Sequence, residues 1–185
     1  ASLVDNIESA KMLNDLFRKE EKTAHVFIDV DAGMHRTGIA PENGLYELFI
    51  QLDQLPNLKC DGLHVYDGHQ RDEDFQLRRE KVEKSFEPVN AVLKKINDAG
   101  FPPLKVIAGG TPNFTVHACN KGVLCSPVTC VLLDYGYNAI LPEQPFDFAA
   151  VLMTRVISKP GKGIITTDLG HKSVAAENPI LKRIF

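Results

Sequence analysis

The chain has no tryptophan, no Cys-x-x-Cys pair, no long uninterrupted apolar run and almost no net charge. Each absence removes a class of function. A formal charge of −3, from 21 Lys and Arg against 24 Asp and Glu, leaves no basic field for nucleic acid. No apolar stretch approaches the roughly 20 residues that a membrane-crossing helix needs. Cys60, Cys119, Cys125 and Cys130 lack zinc-ligand spacing, and no secretory signal is recognisable ahead of them, so reduced thiols in a cytoplasmic protein are expected. An initiator methionine is missing too. The chain opens at Ala1 and stops within the apolar run Ile180 to Phe185, which reads as a strand cut part-way and raises the expectation of an internal fragment.

What is present is an alternation. With 44% hydrophobic residues the chain has enough apolar side chains for a real core. Ser2 to Asp5 reads as the tail of a strand, and residues 6–21 place Ile7, Ala10, Leu13, Leu16 and Phe17 on one helical face. His25 to Asp31 reads as a buried strand. Pro41 sits where a helix would begin, with Leu45, Leu48, Phe49 and Leu52 as its stripe. Leu58 to Tyr66 is the next strand, and a charged helix follows over about residues 72–99, with a break expected near Pro88. Leu104 to Ala108 is strand again, a short helix is expected near Phe114 to Cys119, and an apolar strand over Val123 to Leu133. Strands apolar on both faces and separated by helices imply an α/β fold with a parallel sheet or barrel. After about Tyr135 the pattern changes. Phe148 to Ser158 and Gly163 to Thr167 read as strands joined by a turn at Lys159 to Lys162, the start of an antiparallel β domain. The expected division is therefore residues 1–138, later strands of a barrel, and 139–185, the beginning of a β domain.

Polar chemistry collects where these strands end, which is where parallel α/β folds bind ligands. The strand ends offer Arg36 with Asp29 and Asp31; Tyr66, Asp67 and His69; Gly109, Gly110 and Thr111; and the segment Ser126 to Cys130. The glycine pair would let backbone N–H groups and the Thr111 hydroxyl approach a phosphate closely, although such a pair is often only a turn. Arg36 has an equally good structural role as the ion-pair partner of Asp29 or Asp31. His64 reads as a satisfied core histidine. His25, His35, His117 and His171 have no partner visible in the sequence and are assigned none.

Taken in order, Asp29-x-Asp31-x-Gly33-x-x-Arg36-x-Gly38, then Gly62-Leu63-His64-x-Tyr66-x-Gly68-His69, Gly109-Gly110-Thr111-Pro112, Ser126-Pro127-x-Thr129-x-x-x-x-Asp134 and Asp168-x-Gly170-x-Lys172-Ser173 resemble the D-threonine aldolase and D-serine dehydratase group. That group belongs to the alanine racemase-type, fold type III, pyridoxal-phosphate enzymes, whose N-terminal domain is a TIM barrel. The resemblance implies that this chain supplies strands four to eight of a (β/α)8 barrel, followed by the start of the C-terminal β domain. It implies that Arg36 lies near the phenolic oxygen of pyridoxal 5'-phosphate and that Tyr66 lies beside the pyridine ring. His69 would stand near the substrate, giving Tyr66 and His69 as catalytic candidates. Gly109, Gly110 and Thr111, with Val128, Thr129 and Cys130, would hold the phosphate. Val128 stands where the family usually has a glycine, and its Cβ is expected to crowd the phosphate or tilt the loop.

The implied activity is cleavage of the Cα–Cβ bond of a D-β-hydroxy amino acid to glycine and an aldehyde. The same scaffold also serves D-serine dehydratases and amino-acid racemases, and a non-catalytic pyridoxal-phosphate carrier is the alternative from another class. A sugar-phosphate barrel enzyme would share the glycine loop without explaining Arg36, Tyr66 and His69. By the same resemblance the Schiff-base lysine lies upstream of Ala1, and the ligands of a divalent metal (Mn, Mg or Zn) lie beyond Phe185, so no metal ligand is assigned here. The expected partners are a small amino-acid substrate and a second copy in a homodimer. The 185-residue piece by itself is expected to be inactive and to aggregate through open strand edges.

Overall fold

Two strands, β2 (Ala24–Asp31) and β3 (Leu58–Tyr66), form the centre of a parallel sheet in the computed structural model, which describes residues 1–170. With β1 (Ser2–Val4), β4 (Lys105–Ala108) and β5 (Val123–Cys125) they make five strands whose spatial order is their chain order. Every neighbouring pair is parallel. Sequential parallel order is the order of a barrel wall, whereas a doubly wound sheet reverses direction at a switch point.

The connecting helices form because one face of each is apolar. α1 (Ile7–Lys19) starts at Asn6, whose side chain accepts the N–H of Ser9, and it packs Ile7, Ala10, Leu13 and Phe17 onto the core. Pro41 begins a short 3-10 turn, Pro41–Asn43, and after Gly44 the helix α2 (Leu45–Asp53) buries Leu45, Leu48, Phe49 and Leu52. Helix α3 (Phe75–Asp98) is capped by Asp74, which accepts the N–H of Leu77. It runs unbroken through Pro88, contrary to the expected break. Pro88 and Lys84, whose carbonyl it leaves without a helical donor, are both on the exposed face, while the buried stripe continues through Phe86 and Val89. Along β3, Leu63 and Val65 point to the helices and are fully buried, whereas His64 and Tyr66 point to the other face.

A second expectation also needs correction. The strand foreseen over Val123 to Leu133 ends at Cys125, after which Ser126 donates to the Ala108 carbonyl and Thr129–Val131 closes a 3-10 turn. Pro127 has no N–H for a ladder, and beyond it Val131 and Leu132 are exposed although the sequence there is apolar. Helix α4 (Phe114–His117) lies within the short helix expected there, and α5 (Tyr135–Ile140) follows the 3-10 turn with Asp134 as its cap.

Contacts divide the chain into Ala1–Ala149 and a second unit from Ala150 onward. Within the second, β6 (Val156–Gly161) and β7 (Ile164–Thr167) form an antiparallel hairpin. The first of these strands was expected from Phe148. It begins at Val156 because its partner has only four residues, and the turn falls at Lys162-Gly163, where Gly163 takes φ +75°, instead of starting at Lys159. Asp168 closes the open end, accepting from the Thr154 hydroxyl and the Arg155 N–H. His171, Lys172 and Ser173 lie outside the described residues.

Candidate functional site

Because all five strands of the sheet are parallel, their carboxyl ends share one edge, and the loops that leave them stand side by side. The loop after β2 folds back so that Asp31 N–H donates to Ile39 O and Ile39 N–H donates to Asp29 O. Asp31 ties its tip, accepting the N–H groups of Gly33 at 2.9 Å and His35 at 3.0 Å, with the His35 ring 3.0 Å away. Burial opposes ionisation of Asp31, but those N–H groups and the imidazole together keep its pKa below the ordinary aspartate value. Gly38 is required here. Its φ is +98°, and a Cβ would come within 2.7 Å of the Asp31 nitrogen.

Arg36 is exposed on this loop, and among the described residues it forms no ion pair within 4 Å. Its guanidinium lies over the Tyr66 ring at 4.7 Å. The partner open to Asp29 in the sequence is supplied instead by His64, whose Nδ1 is 2.8 Å from Asp29 Oδ1. That bond is the largest cause of the lowered Asp29 pKa, opposed by burial and aided by the Thr37 hydroxyl and, at longer range, by Arg36. His64 is thus the satisfied histidine that the sequence suggested.

The Tyr66 ring also meets the glycine loop after β4. A Cβ on Gly110 would stand 2.8 Å from Tyr66 Cε2, so only glycine allows this loop so close to the ring. Thr111 is buried, and its hydroxyl accepts the Cys130 N–H at 3.3 Å, joining the glycine loop to the loop after β5. Thr111 and Thr129 contribute backbone N–H groups that form no hydrogen bond among the described residues. Val128 takes φ −118° and ψ −56°, ordinary values for an L-residue, and its side chain is exposed. His69 is exposed beside the first loop: a Cβ on Gly33 would sit 3.3 Å from its Nε2. The structure therefore brings Arg36, Tyr66, Gly110, Thr111 and Cys130 into one chain of contacts, with His69 at the rim and Val128 turned outward.

A buried polar network behind the glycine loop was not foreseen. Asp67, fully buried directly after Tyr66, has Oδ2 at 2.7 Å from His117 Nε2, and its carbonyl accepts Asn113 Nδ2 at 2.8 Å. Gln144 donates to the Thr111 carbonyl from the far side. His117 is 50 residues from Asp67, so no spacing rule could pair them. The one available signal was a carboxylate placed immediately after a buried strand.

Residues 1–124 match the alanine racemase N-terminal domain family. The chain belongs to that family. Relatives within this wider group include the 3-hydroxy-D-aspartate aldolase of Paracoccus denitrificans (strain Pd 1222), 22% identical over 95% of this chain and 48% of its own length. Another is the D-threonine aldolase of an Arthrobacter species, 23% identical over 94% of this chain and 47% of its own. The crystal structure of D-threonine aldolase from Filomicrobium marinum superposes with a TM-score of 0.83 at 23% identity, covering 95% of this chain and 48% of that one. The chain thus spans about half the length of the curated relatives it matches, and its five parallel strands are barrel strands of the alanine racemase N-terminal type. The family implies pyridoxal phosphate, and the residues fit it. Among the described residues Arg36 has no carboxylate partner within 4 Å, and the loops joined by the Thr111–Cys130 bond carry the uncommitted Thr111 and Thr129 N–H groups at a place where a Cβ on Gly110 could not fit. Among the described residues, no group of three or more His, Cys, Asp and Glu side chains could hold a metal.

Proposed function

We propose that the full-length protein is a pyridoxal-phosphate-dependent lyase of D-β-hydroxy amino acids, cleaving Cα–Cβ to glycine and an aldehyde. The observation that carries this reading is the continuous set Arg36, Tyr66, Gly110, Thr111 and Cys130. The names of the relatives support the substrate class. When bound, pyridoxal phosphate supplies an electron sink for the pair released at the substrate Cα.

The chain's own residues do the holding. Arg36, whose guanidinium lies over Tyr66 by cation–π contact, would present a cation to the phenolic oxygen, and Tyr66 would form the wall beside the ring. Gly109, Gly110 and Thr111, with Val128, Thr129 and Cys130, would form the two loops around the phosphate, and the Thr111 and Thr129 N–H groups and the Thr111 hydroxyl would be the donors offered to it. His69, exposed at the rim, is the candidate to take or return a proton at the substrate hydroxyl. The lysine that binds the cofactor and the ligands of a divalent metal belong to parts of the protein outside these 185 residues. A cytoplasmic homodimer completes the proposal.

The test is full-length protein given pyridoxal phosphate, a divalent metal and D-threonine. Release of acetaldehyde and glycine that chelation abolishes supports the aldolase reading. A keto acid or the epimer as the product moves the assignment to a dehydratase or racemase, and cofactor binding without turnover of any amino acid makes the protein a carrier.

A further inference from the structure

We infer that Asp67, His117 and Asn113 form a positioning clasp that sets the glycine loop against the Tyr66 ring, and so fixes where a phosphate is held relative to an aromatic ring lying on Tyr66. This rests on the proposed cofactor site and assigns it three residues that touch neither substrate nor cofactor.

The geometry carries the argument. Asp67 follows Tyr66 directly, so anything bound to Asp67 is placed relative to that ring through one peptide unit. Three groups from the segment after β4 converge on it. His117 Nε2 meets Oδ2 at 2.7 Å, Asn113 Nδ2 donates to the carbonyl at 2.8 Å, and the Gly110 N–H faces Oδ1 at the longer distance of 3.4 Å. The glycine loop is thus held from both sides. Tyr66 stands in front of Gly110, and His117 lies behind Gly109, where a Cβ would be 3.0 Å from Cδ2 and φ is +79°. Phe86 packs on the His117 ring at 4.6 Å, which fixes the imidazole from the helix side.

A pair serving only the core would be expected to satisfy all its polar atoms. His117 Nδ1 and Asn113 Oδ1 are instead buried without a partner among the described residues, a cost that buried polar groups rarely carry. What the arrangement achieves is registry between two strand ends. With Nδ1 unpartnered, His117 donates from Nε2, and Asp67 accepts.

The experiment compares pyridoxal phosphate with pyridoxal on the full-length protein. The two share ring and aldehyde and differ only in the phosphate, so the ratio of their dissociation constants, read by absorbance titration, isolates the phosphate loop. His117→Leu is expected to weaken pyridoxal phosphate about tenfold or more while changing pyridoxal by less than about threefold. His117→Gln, which returns a donor near the Nε2 position, is expected to restore the ratio. A variant that weakens both ligands equally, or neither, overturns the clasp and leaves the proposed function standing. Wild-type protein that binds neither ligand overturns both. Should His117→Leu not fold, Asn113→Ala removes only the donation to the Asp67 carbonyl. A phosphate-selective loss of about threefold or more then supports the clasp, and an unchanged ratio overturns it.

Discussion

Two strand-end loops of this sheet, Asp31 to Gly38 after β2 and Gly109 to Asn113 after β4, use the same parts in opposite surroundings. Each is bounded by glycine and braced by an Asp–His contact. In the first, the His35 side chain is 84% exposed against 12% for Asp31; in the second, His117 and Asp67 are 1% and 0% exposed. The exposed pair leaves its loop open, with Arg36 and His69 exposed on and beside it. The buried pair makes its loop a fixed edge. A site that must both hold an anion and admit a substrate needs one loop of each kind, and the difference lies in desolvation rather than in residue type.

Removing the buried brace should have the largest effect. Asp67→Ala leaves the His117 N–H and the Gly110 N–H without their shared acceptor in a place water does not reach. A loss of about 3 kcal/mol in the unfolding free energy of the full-length protein is expected from denaturant titration. A loss below about 1 kcal/mol would mean that the two loops are braced alike and that burial adds nothing.

The first loop gives a smaller effect with a defined pH dependence. Asp31 is held below its ordinary pKa by the Gly33 and His35 N–H groups and the His35 ring, against the opposing pull of burial. A carboxylate whose folded pKa is depressed contributes stability that is whole above its unfolded value, near 3.9, and that is lost as pH falls through the folded value. Asp31→Asn should therefore cost about 1 kcal/mol at neutral pH and flatten the stability profile below about pH 4. Part of the wild-type acid slope should remain, because Asp29 is also depressed, chiefly through His64. An acid limb as steep as that of wild type would show that Asp31 does not brace the loop through its charge.

How much of this could be read from the sequence follows the same division. The alternation of apolar strands and striped helices is local, and β1 to β4, α1, α2 and α3 lie where periodicity and caps put them, while β5 starts where expected and ends early. That Arg36, Tyr66 and the glycine loop stand together at the strand ends was legible because strand ends are marked by glycine and charge. The misreadings came where an apolar run is not evidence of a partner. Val131 and Leu132 have strand-like side chains, yet Pro127 and the Ser126 bond to Ala108 turn the chain first. Pro88 differs the other way: on the exposed face of α3 it leaves the helix continuous, although a proline there removes one helical hydrogen bond. The Asp67–His117 clasp was beyond reach because its members are joined only through the folded sheet, and the same holds for Gln144 at Thr111.

The smallest expected effect is the sharpest test of the comparison. His35 makes the same kind of contact to Asp31 as His117 makes to Asp67, at 3.0 Å and 2.7 Å, so distance alone would rank the two as near equals. The physical difference is the solvent. Around His35, water replaces the imidazole at once, and the Asp31 carboxylate keeps the two backbone N–H groups that do most of the bracing. An exposed charged contact of this type contributes at most about 0.5 kcal/mol, with part of that screened by salt. His35→Ala should therefore change unfolding free energy by less than about 0.5 kcal/mol, less still at high ionic strength, while Asp67→Ala is insensitive to salt. If His35→Ala instead approached the cost of Asp67→Ala, the ring would have to be shielded from water in the whole protein. The first loop would then be a second fixed edge, and Arg36 would owe its position to a covered surface instead of to Tyr66.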